Sequence, residues 1–180
     1  MNSHCIQSTT LYDGPIFKAY QEDIQLESGF RIKRDMILHD PAVVIIPIDS
    51  LAISNPTVYL VQQYRFPIKK LLWEFPAGLL NKQEDPLEGA KRELHEETGL
   101  SATCWYPLGG GYSAPGFTNE YLHFFLATDL TQGQPHTDGP DEEIVVQSLF
   151  LEVLETWVAD GLVEDLKTLL GIQLLKARLA

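Results

Sequence analysis

GLLNKQEDPLEGAKRELHEETGL, residues 78–100, contains the most clearly bounded helix of the chain. Asp85 is a natural N-cap, and a proline follows it at the first helical position. Gly99 supplies the C-terminal stop, because glycine adopts the left-handed conformation without strain. Apolar residues repeat at helical spacing on one side of the segment: Leu87, Ala90 and Leu94. We therefore predict a helix over 86–98.

The same helix carries a cluster of three glutamates. Glu93, Glu96 and Glu97 stand at i, i+3 and i+4, so their carboxylates share one side. Like charges at this spacing destabilise an isolated helix by roughly 0.2–0.5 kcal/mol per pair. Mg²⁺ removes that repulsion, since it prefers oxygen ligands, and the adjoining Arg92 can hold one carboxylate in a fixed rotamer. A glutamate-rich helix face is most often only solvated, so the helix alone leaves both interpretations open.

The spacing of the residues around the helix is more specific than the helix itself. Gly78, Glu84 and the run 92–100 fit the pattern G-x5-E-x7-R-E-U-x-E-E-x-G-U, with U aliphatic, at all nine fixed positions. A chance match somewhere in the chain is on the order of one in ten million. The chain thus resembles the Nudix hydrolases, whose signature box this is, and an inert glutamate face is disfavoured. His95 occupies an unconstrained position of the box, and we expect it at the surface.

The resemblance to the Nudix hydrolases implies both a fold and a reaction. The fold class is α/β (α+β), a Nudix-type α/β/α sandwich around a mixed β-sheet with additional N-terminal antiparallel strands. The mixture of strands and segregated helices in the sequence itself indicates the same class. The implied reaction is the Mg²⁺-dependent hydrolysis of the diphosphate bond of a nucleoside diphosphate derivative, with Mn²⁺ as a substitute ion.

The resemblance also assigns roles to the residues of the box. Glu93 and Glu97 correspond to the principal Mg²⁺ ligands. Glu96 corresponds to a residue that helps to hold a second ion or a bridging water, and so takes part in catalysis. The carbonyl oxygen of Ala77, just before the box, matches the backbone ligand of the family. Arg92 matches a catalytic residue that orients the carboxylates rather than binding metal.

Outside the box, the chain resembles the ADP-ribose pyrophosphatase branch over nearly its whole length. The segments that carry this likeness are 63–65, 73–78 and 113–120, and Pro115 lies 15 residues beyond Leu100, the spacing typical of that branch. The implied reaction converts ADP-ribose to AMP and ribose 5-phosphate. Hydrolysis of a nucleotide sugar such as GDP-mannose, or of another Nudix substrate, is the alternative. A non-catalytic sensor that binds ADP-ribose is less favoured, because the box is complete.

Three residues outside the box are candidates for substrate binding. Arg34 and Arg65 match basic positions that act on the substrate in the ADP-ribose branch, and a guanidinium fork suits phosphate or ribose oxygens. Phe117 is the third candidate, from the segment after the box. The alternative for both arginines is an exposed strand charge, and for Phe117 it is ordinary packing.

The polar loop at 133–143 is the remaining candidate for catalysis. It is acidic and rich in turn-forming residues, as is common in elements that close over a site. In the ADP-ribose branch a glutamate of this loop serves as general base, and Glu142 is the best match. Its neighbour Glu143 remains an alternative.

Composition limits the partners and the compartment. The chain has 25 Asp and Glu against 13 Lys and Arg, and such a surface repels nucleic-acid backbones. We therefore expect a small-molecule partner and no nucleic acid. Cys5 and Cys104 are too few for a disulfide scaffold. The start of the chain lacks the pattern of a signal peptide, and the most apolar stretch, 42–48, is far short of a membrane span. We expect a cytoplasmic protein without a membrane partner.

Alternating and apolar segments divide the chain into two regions. We predict a β-strand region at 1–40, to which the resemblance assigns homodimer formation and contacts to the nucleoside, and a hydrolase domain at 41–180. A buried strand at 43–48 is expected to pair with a strand at 57–65. The other predicted elements are strands at 16–20, 23–26, 30–36, 101–108, 121–128 and 144–150, and helices at 151–160 and 163–178.

Overall fold

The structure, a computed structural model, describes residues 3–133 and 144–180. The strands are β1 (Ser3–Asp13), β2 (Phe17–Leu26), β3 (Arg31–His39), β4 (Ala42–Pro47), β5 (Thr57–Arg65), β6 (Lys70–Glu74), β7 (Ala77–Leu79), β8 (Leu100–Tyr112), β9 (Tyr121–Gln132) and β10 (Val145–Phe150). The helices are α1 (Pro86–Thr98), α2 (Leu151–Ala159) and α3 (Leu166–Leu179). The sheets have the strand orders β1-β2-β3, β10-β5-β6 and β7-β4-β9-β8. The chain forms two compact units, one of Met1–Pro41 with Gly111–Leu122 and one of Ala42–Gly110 with His123–Ala180.

The first unit is built on the antiparallel sheet β1-β2-β3. Gly29, at φ +87°, lies in the turn between β2 and β3, a conformation that glycine adopts without strain. The predicted strands at 16–20 and 23–26 form one continuous strand, β2. The sequence does not predict β1, because every residue of that strand is exposed and the alternation of a half-buried strand is missing. The predicted N-terminal antiparallel strands are confirmed.

β4 forms the centre of the second unit, and all of its residues are buried. Because side chains alternate along a strand, Val43 and Ile45 face one side, where they pack with Leu94 of α1. Ile46 faces the other side, where a Cβ atom added to Gly171 of α3 would lie 3.3 Å from the Ile46 side chain. The sheet therefore lies between helices on both faces, which confirms the predicted α/β/α sandwich.

The predicted pairing of the strands at 43–48 and 57–65 is wrong. β5 pairs antiparallel with β10 on one edge and with β6 on the other, and β4 lies between β7 and β9. Within the described residues, the hydrogen-bonded link between the two segments is an isolated bridge, Ile48–Val58. Both edges of each strand are thus paired with other strands. A turn signal between two neighbouring strands in the sequence does not show with which strands they pair.

The predicted helices agree with the structure. The helix predicted over 86–98 is α1, and those at 151–160 and 163–178 are α2 and α3. The sequence does not predict β6 and β7, because five and three residues are too short to produce a periodic pattern. No helix among residues 3–133 and 144–180 is long and apolar enough to cross a membrane. Both cysteines are free thiols.

Candidate active site

The caps and the buried stripe of α1 fix how this helix is oriented. Asp85 Oδ1 accepts a hydrogen bond from the N–H of Leu87 at 2.9 Å, and Gly99 ends the helix at φ +70°. Ala90 and Leu94 are completely buried against the sheet. These contacts set the rotation of α1 about its own axis, and therefore the direction in which its glutamates point.

β7 approaches α1 most closely at Gly78. A Cβ atom at Gly78 would lie 2.1–2.3 Å from the carboxylate atoms of Glu93, so any larger residue would displace that side chain. At the neighbouring position, the N–H of Ala77 donates to Glu97 Oε2 at 3.1 Å. Pairing with β4, in which Gly78 lies opposite Val43, holds this part of β7 in place. The backbone of β7 therefore borders two of the predicted ligand carboxylates.

Arg92 donates through all five of its N–H groups, four to side-chain carboxylate oxygens and one to a backbone carbonyl. Its Nε and Nη2 donate to the two carboxylate oxygens of Glu84, each at 2.9 Å. Nη2 also donates to the carbonyl of Leu79 at 2.9 Å. Nη1 donates to Glu93 Oε1 at 2.6 Å and to Glu96 Oε2 at 2.9 Å. This geometry suits the orienting role predicted for Arg92.

Negative charge exceeds positive charge around Arg92. Its hydrogen bonds lower the pKa of Glu84 to about 2, and in return the carboxylates raise the pKa of Arg92. Burial raises the pKa of Glu93 more than the hydrogen bond from Arg92 lowers it, and the charge of Glu96 raises it further. The single guanidinium of Arg92 therefore does not compensate all of the carboxylates on this face, and a divalent cation would compensate the remaining negative charge.

The donor atoms on this face of α1 suit a hard cation. Mg²⁺ binds carboxylate and carbonyl oxygens, which α1 and the adjoining backbone of β7 supply. No three acidic, histidine or cysteine side chains in the described part of the chain converge as a ready set of metal ligands. Arg92 holds one oxygen each of Glu93 and Glu96. The excess negative charge, and the close approach of the Gly78 backbone to the Glu93 carboxylate, are the features that fit a bound cation.

Arg65, a predicted substrate-binding residue, forms an ion pair with a buried carboxylate. Its Nε and Nη2 donate to the two oxygens of Glu74 at 2.7 and 2.6 Å. The Glu74 side chain is 1% exposed, whereas that of Arg65 is 37% exposed. The hydrogen bonds to Glu74 raise the pKa of Arg65, and the charge of Glu97 raises it further. Arg65 therefore lies within electrostatic reach of Glu97 on α1.

Two of the remaining predicted residues, Arg34 and Phe117, belong to the first unit. Arg34 is on β3 in the first unit, and its Nη1 donates to the preceding backbone carbonyl at 2.9 Å. Phe117 is 54% exposed and lines a cavity of about 240 Å³ in the first unit, together with Tyr20. Glu142 and Glu143 lie outside the described residues, so the predicted general base stays a prediction.

Two residues near the glutamates are not predicted from the sequence. The only signal for Glu74 is a charged residue inside the otherwise apolar run 71–76. His95, expected at the surface, is half-buried, and its Nδ1 is buried without a hydrogen-bond partner among the described residues. A Cβ atom at Gly133 would lie 3.5 Å from His95 Cε1, so Gly133, directly after β9, lies beside part of the ring.

Known proteins resemble the chain over nearly its whole length. The profile of the NUDIX domain family matches residues 38–168. An ADP-ribose pyrophosphatase of Bacillus subtilis is 32% identical over 96% of this chain and 92% of its own length. A methanol dehydrogenase activator of Bacillus methanolicus is 33% identical over 95% of this chain and 91% of its own length. The crystal structure of an ADP compounds hydrolase, 20% identical, covers 98% of this chain and 94% of its own with a TM-score of 0.85, which shows a shared fold.

Proposed function

This chain belongs to the NUDIX domain family, and we propose that it hydrolyses ADP-ribose to AMP and ribose 5-phosphate. The observation that carries the proposal is the set of carboxylates on α1 that Arg92 and the N–H of Ala77 hold, with the Gly78 backbone close beside Glu93. ADP-ribose is favoured as substrate because the likeness to the ADP-ribose pyrophosphatase of Bacillus subtilis extends over nearly the full length of both chains.

The proposed metal site uses the carboxylates of Glu93, Glu96 and Glu97. The carbonyl oxygen of Ala77 would complete the protein ligands for Mg²⁺, with Mn²⁺ as a substitute. When bound, the ion supplies positive charge that polarises the diphosphate and lowers the pKa of a water molecule. Arg92 contributes orientation, because its Nη1 holds one oxygen each of Glu93 and Glu96.

Hydrolysis also needs a group that accepts a proton from the attacking water. We propose Glu142 for this role, with Glu143 as the alternative, on the strength of the acidic run 141–143. As Glu142 takes the proton, the water oxygen forms a bond to phosphorus and the bond from that phosphorus to the bridging oxygen breaks. The bridging oxygen leaves with the second phosphate monoester. A general base typically contributes about 10²–10⁴-fold, so loss of Glu142 should leave residual activity.

Arg65, Arg34 and Phe117 are proposed as substrate-binding residues. The exposed part of the Arg65 guanidinium can donate to phosphate or ribose oxygens. Arg34 offers the same chemistry from β3. For Phe117, the support is the cavity of about 240 Å³ that its ring lines, since an exposed aromatic ring beside a cavity can stack on a planar group.

We further propose that the protein acts in the cytoplasm as a homodimer. The two free thiols support a reducing compartment. The sheet of the first unit supports self-association, because it exposes large apolar side chains that water solvates poorly. These side chains are Ile6, Leu11, Tyr12, Phe17 and Leu38.

A substrate panel tests the proposed reaction. Purified protein is incubated with Mg²⁺ and ADP-ribose, GDP-mannose, ADP-glucose, diadenosine polyphosphates or nucleoside triphosphates, and the products are separated by chromatography. We expect AMP and ribose 5-phosphate from ADP-ribose at the highest kcat/KM, and no release when Mg²⁺ is chelated. Faster turnover of another substrate would keep the chemistry and replace ADP-ribose. Absence of turnover on every member would contradict the proposal.

A further inference from the structure

A buried carboxylate, Glu74, joins the C-terminal helix to Arg65. Lys167, in the first turn of α3, donates from Nζ to Glu74 Oε2, the same oxygen that accepts from Arg65 Nη2 at 2.6 Å. Lys167 Nζ also lies 3.0 Å from Asp165 Oδ2. The Lys167 and Asp165 side chains are each 16% exposed. Two cations from distant parts of the chain therefore share one carboxylate.

Burying the Glu74 carboxylate is unfavourable unless both of its cationic partners stay in place. Burial alone would raise the pKa of Glu74, but the hydrogen bonds and charges of Arg65 and Lys167 lower it overall. A buried charge is tolerated only when it is paired and hydrogen-bonded, and removing one partner leaves the other uncompensated. The position of each side chain in the group therefore depends on the other two.

Hydrogen bonds that involve Asp165 and Thr168 also fix the start of α3. Asp165 caps the helix, because its Oδ2 accepts from the N–H of Thr168 at 2.9 Å. The Thr168 hydroxyl, completely buried, donates to the same Asp165 oxygen at 2.6 Å and accepts from the N–H of Phe75 at 2.8 Å. Phe75 directly follows Glu74 in the chain. The first turn of α3 is thus anchored to the segment that enters β7.

The charges of this group leave one cation available to an anion. Asp165 is stabilised by the positive end of the helix that it caps, and Lys167 compensates Glu74. Arg65 uses Nε and Nη2 on Glu74, whereas its Nη1 has no hydrogen-bond acceptor within residues 3–133 and 144–180. A guanidinium held along one edge presents its other edge in a fixed direction, as phosphate recognition requires.

We propose that Glu74 and Lys167 are positioning residues, which hold the guanidinium of Arg65 in place for substrate binding. Glu74 fixes the guanidinium of Arg65, and Lys167 compensates Glu74, so that Arg65 Nη1 binds an anionic oxygen of the diphosphate. This inference rests on the proposed function, because it takes a nucleoside diphosphate compound as the ligand. Lys167→Met leaves Glu74 to neutralise Arg65, and therefore weakens substrate binding rather than the chemical step.

Kinetics and binding on the full chain test this inference. Wild type, Lys167→Met, Lys167→Arg and Lys176→Met are compared by KM and kcat for ADP-ribose with Mg²⁺, and by the Kd for ADP from calorimetry. Lys176 is the matched control, since it lies on the same helix in a 2.5 Å ion pair with Glu155. We expect Lys167→Met to raise KM and the ADP Kd about tenfold, the effect of one charged hydrogen bond. The kcat of Lys167→Met should stay within about twofold, Lys167→Arg should recover most of the affinity, and Lys176→Met should match wild type.

Two outcomes overturn the inference. A folded Lys167→Met protein that keeps wild-type KM and ADP affinity shows that Lys167 does not act through Arg65. A fall in kcat at unchanged KM and Kd contradicts a role in binding. Should Lys167→Met fail to fold, Lys167→Gln, which keeps a donor toward Glu74 without the charge, carries the same expectation.

Failure of the proposed function is a separate result. A wild-type protein that binds ADP but does not release AMP from ADP-ribose contradicts the function. The ratio of the ADP Kd of Lys167→Met to that of wild type then still tests the inference. A wild-type protein that neither binds ADP nor turns over ADP-ribose overturns both.

Discussion

The substitution Gly78→Ala tests whether the contact between β7 and α1 serves catalysis or only the stability of the fold. The new Cβ atom would lie 2.1–2.3 Å from the carboxylate atoms of Glu93. Atoms in van der Waals contact prefer separations of about 3.5–4.0 Å. The Glu93 carboxylate must therefore move by roughly 1 Å or more, which breaks its present geometry with Arg92.

The two consequences of this movement differ in size. The clash falls on the end of a flexible side chain, so a rotation relieves it and the free energy of unfolding should change by less than about 1 kcal/mol. A displacement of about 1 Å in a catalytic arrangement can cost about 100-fold in rate. We expect Gly78→Ala to lower kcat/KM by about two orders of magnitude, to need more Mg²⁺ for half-maximal activity, and to keep a nearly unchanged Tm.

The assay is AMP release from ADP-ribose across a range of Mg²⁺ concentrations, with thermal unfolding followed by circular dichroism. Gly111→Ala is the matched control, because a Cβ atom there would meet nothing within 4 Å. Wild-type kcat/KM in Gly78→Ala would refute the argument that this close approach fixes a metal ligand. Loss of activity together with a large fall in Tm would assign the glycine to folding instead.

The remaining predictions concern Arg92, Glu84 and Gly171. Arg92→Lys should lower kcat by about 10²-fold or more at saturating substrate, since an ammonium cannot serve five acceptors as a planar fork does; unchanged kcat would contradict this. Glu84→Gln should lower the free energy of unfolding near neutral pH. Because the folded-state pKa of Glu84 is depressed to about 2, its stabilisation is complete above the unfolded pKa and is lost as pH falls from about 5 toward 2. The difference between the urea unfolding curves of wild type and Glu84→Gln should shrink over that window, and a constant difference would argue against the ion pair. Gly171→Ala should destabilise the protein by about 1–3 kcal/mol in thermal unfolding, because its Cβ would lie 2.9 Å from the Phe75 ring; a Tm equal to that of Gly111→Ala would refute the overpacking.

The features of α1 could be predicted from the sequence because their signals are local. The cap at Asp85, the stop at Gly99 and the apolar stripe all lie within one segment, and together they determine the limits of the helix. The spacing of the glutamates within that helix determines which carboxylates share a side. Gly78 could be predicted as part of the family pattern, but its reason, the approach to Glu93, needed the structure.

Pairings between distant segments could not be predicted in this way. β5 pairs with β6 and β10, whereas the sequence favours the neighbouring β4 as its partner. The ion pair of Lys167 with Glu74 joins residues 93 positions apart, and although Glu74 is a charged residue in an apolar run, nothing in the sequence identifies Lys167 as its partner. The two regions predicted at 1–40 and 41–180, and the role of Glu142, stay predictions.

We propose that the glutamates of α1 hold the cation that hydrolysis requires. Titration with Mn²⁺, followed by electron paramagnetic resonance, measures metal binding in wild type, Glu93→Gln and Glu97→Gln, and the same samples are assayed for AMP release. Glu88→Gln is the control, because Glu88 lies on the same helix in an exposed ion pair with Lys91. We expect both Mn²⁺ binding and AMP release to be lost in Glu93→Gln and Glu97→Gln and kept in Glu88→Gln. Wild-type Mn²⁺ affinity or undiminished AMP release in Glu93→Gln and Glu97→Gln would contradict this role of the glutamates.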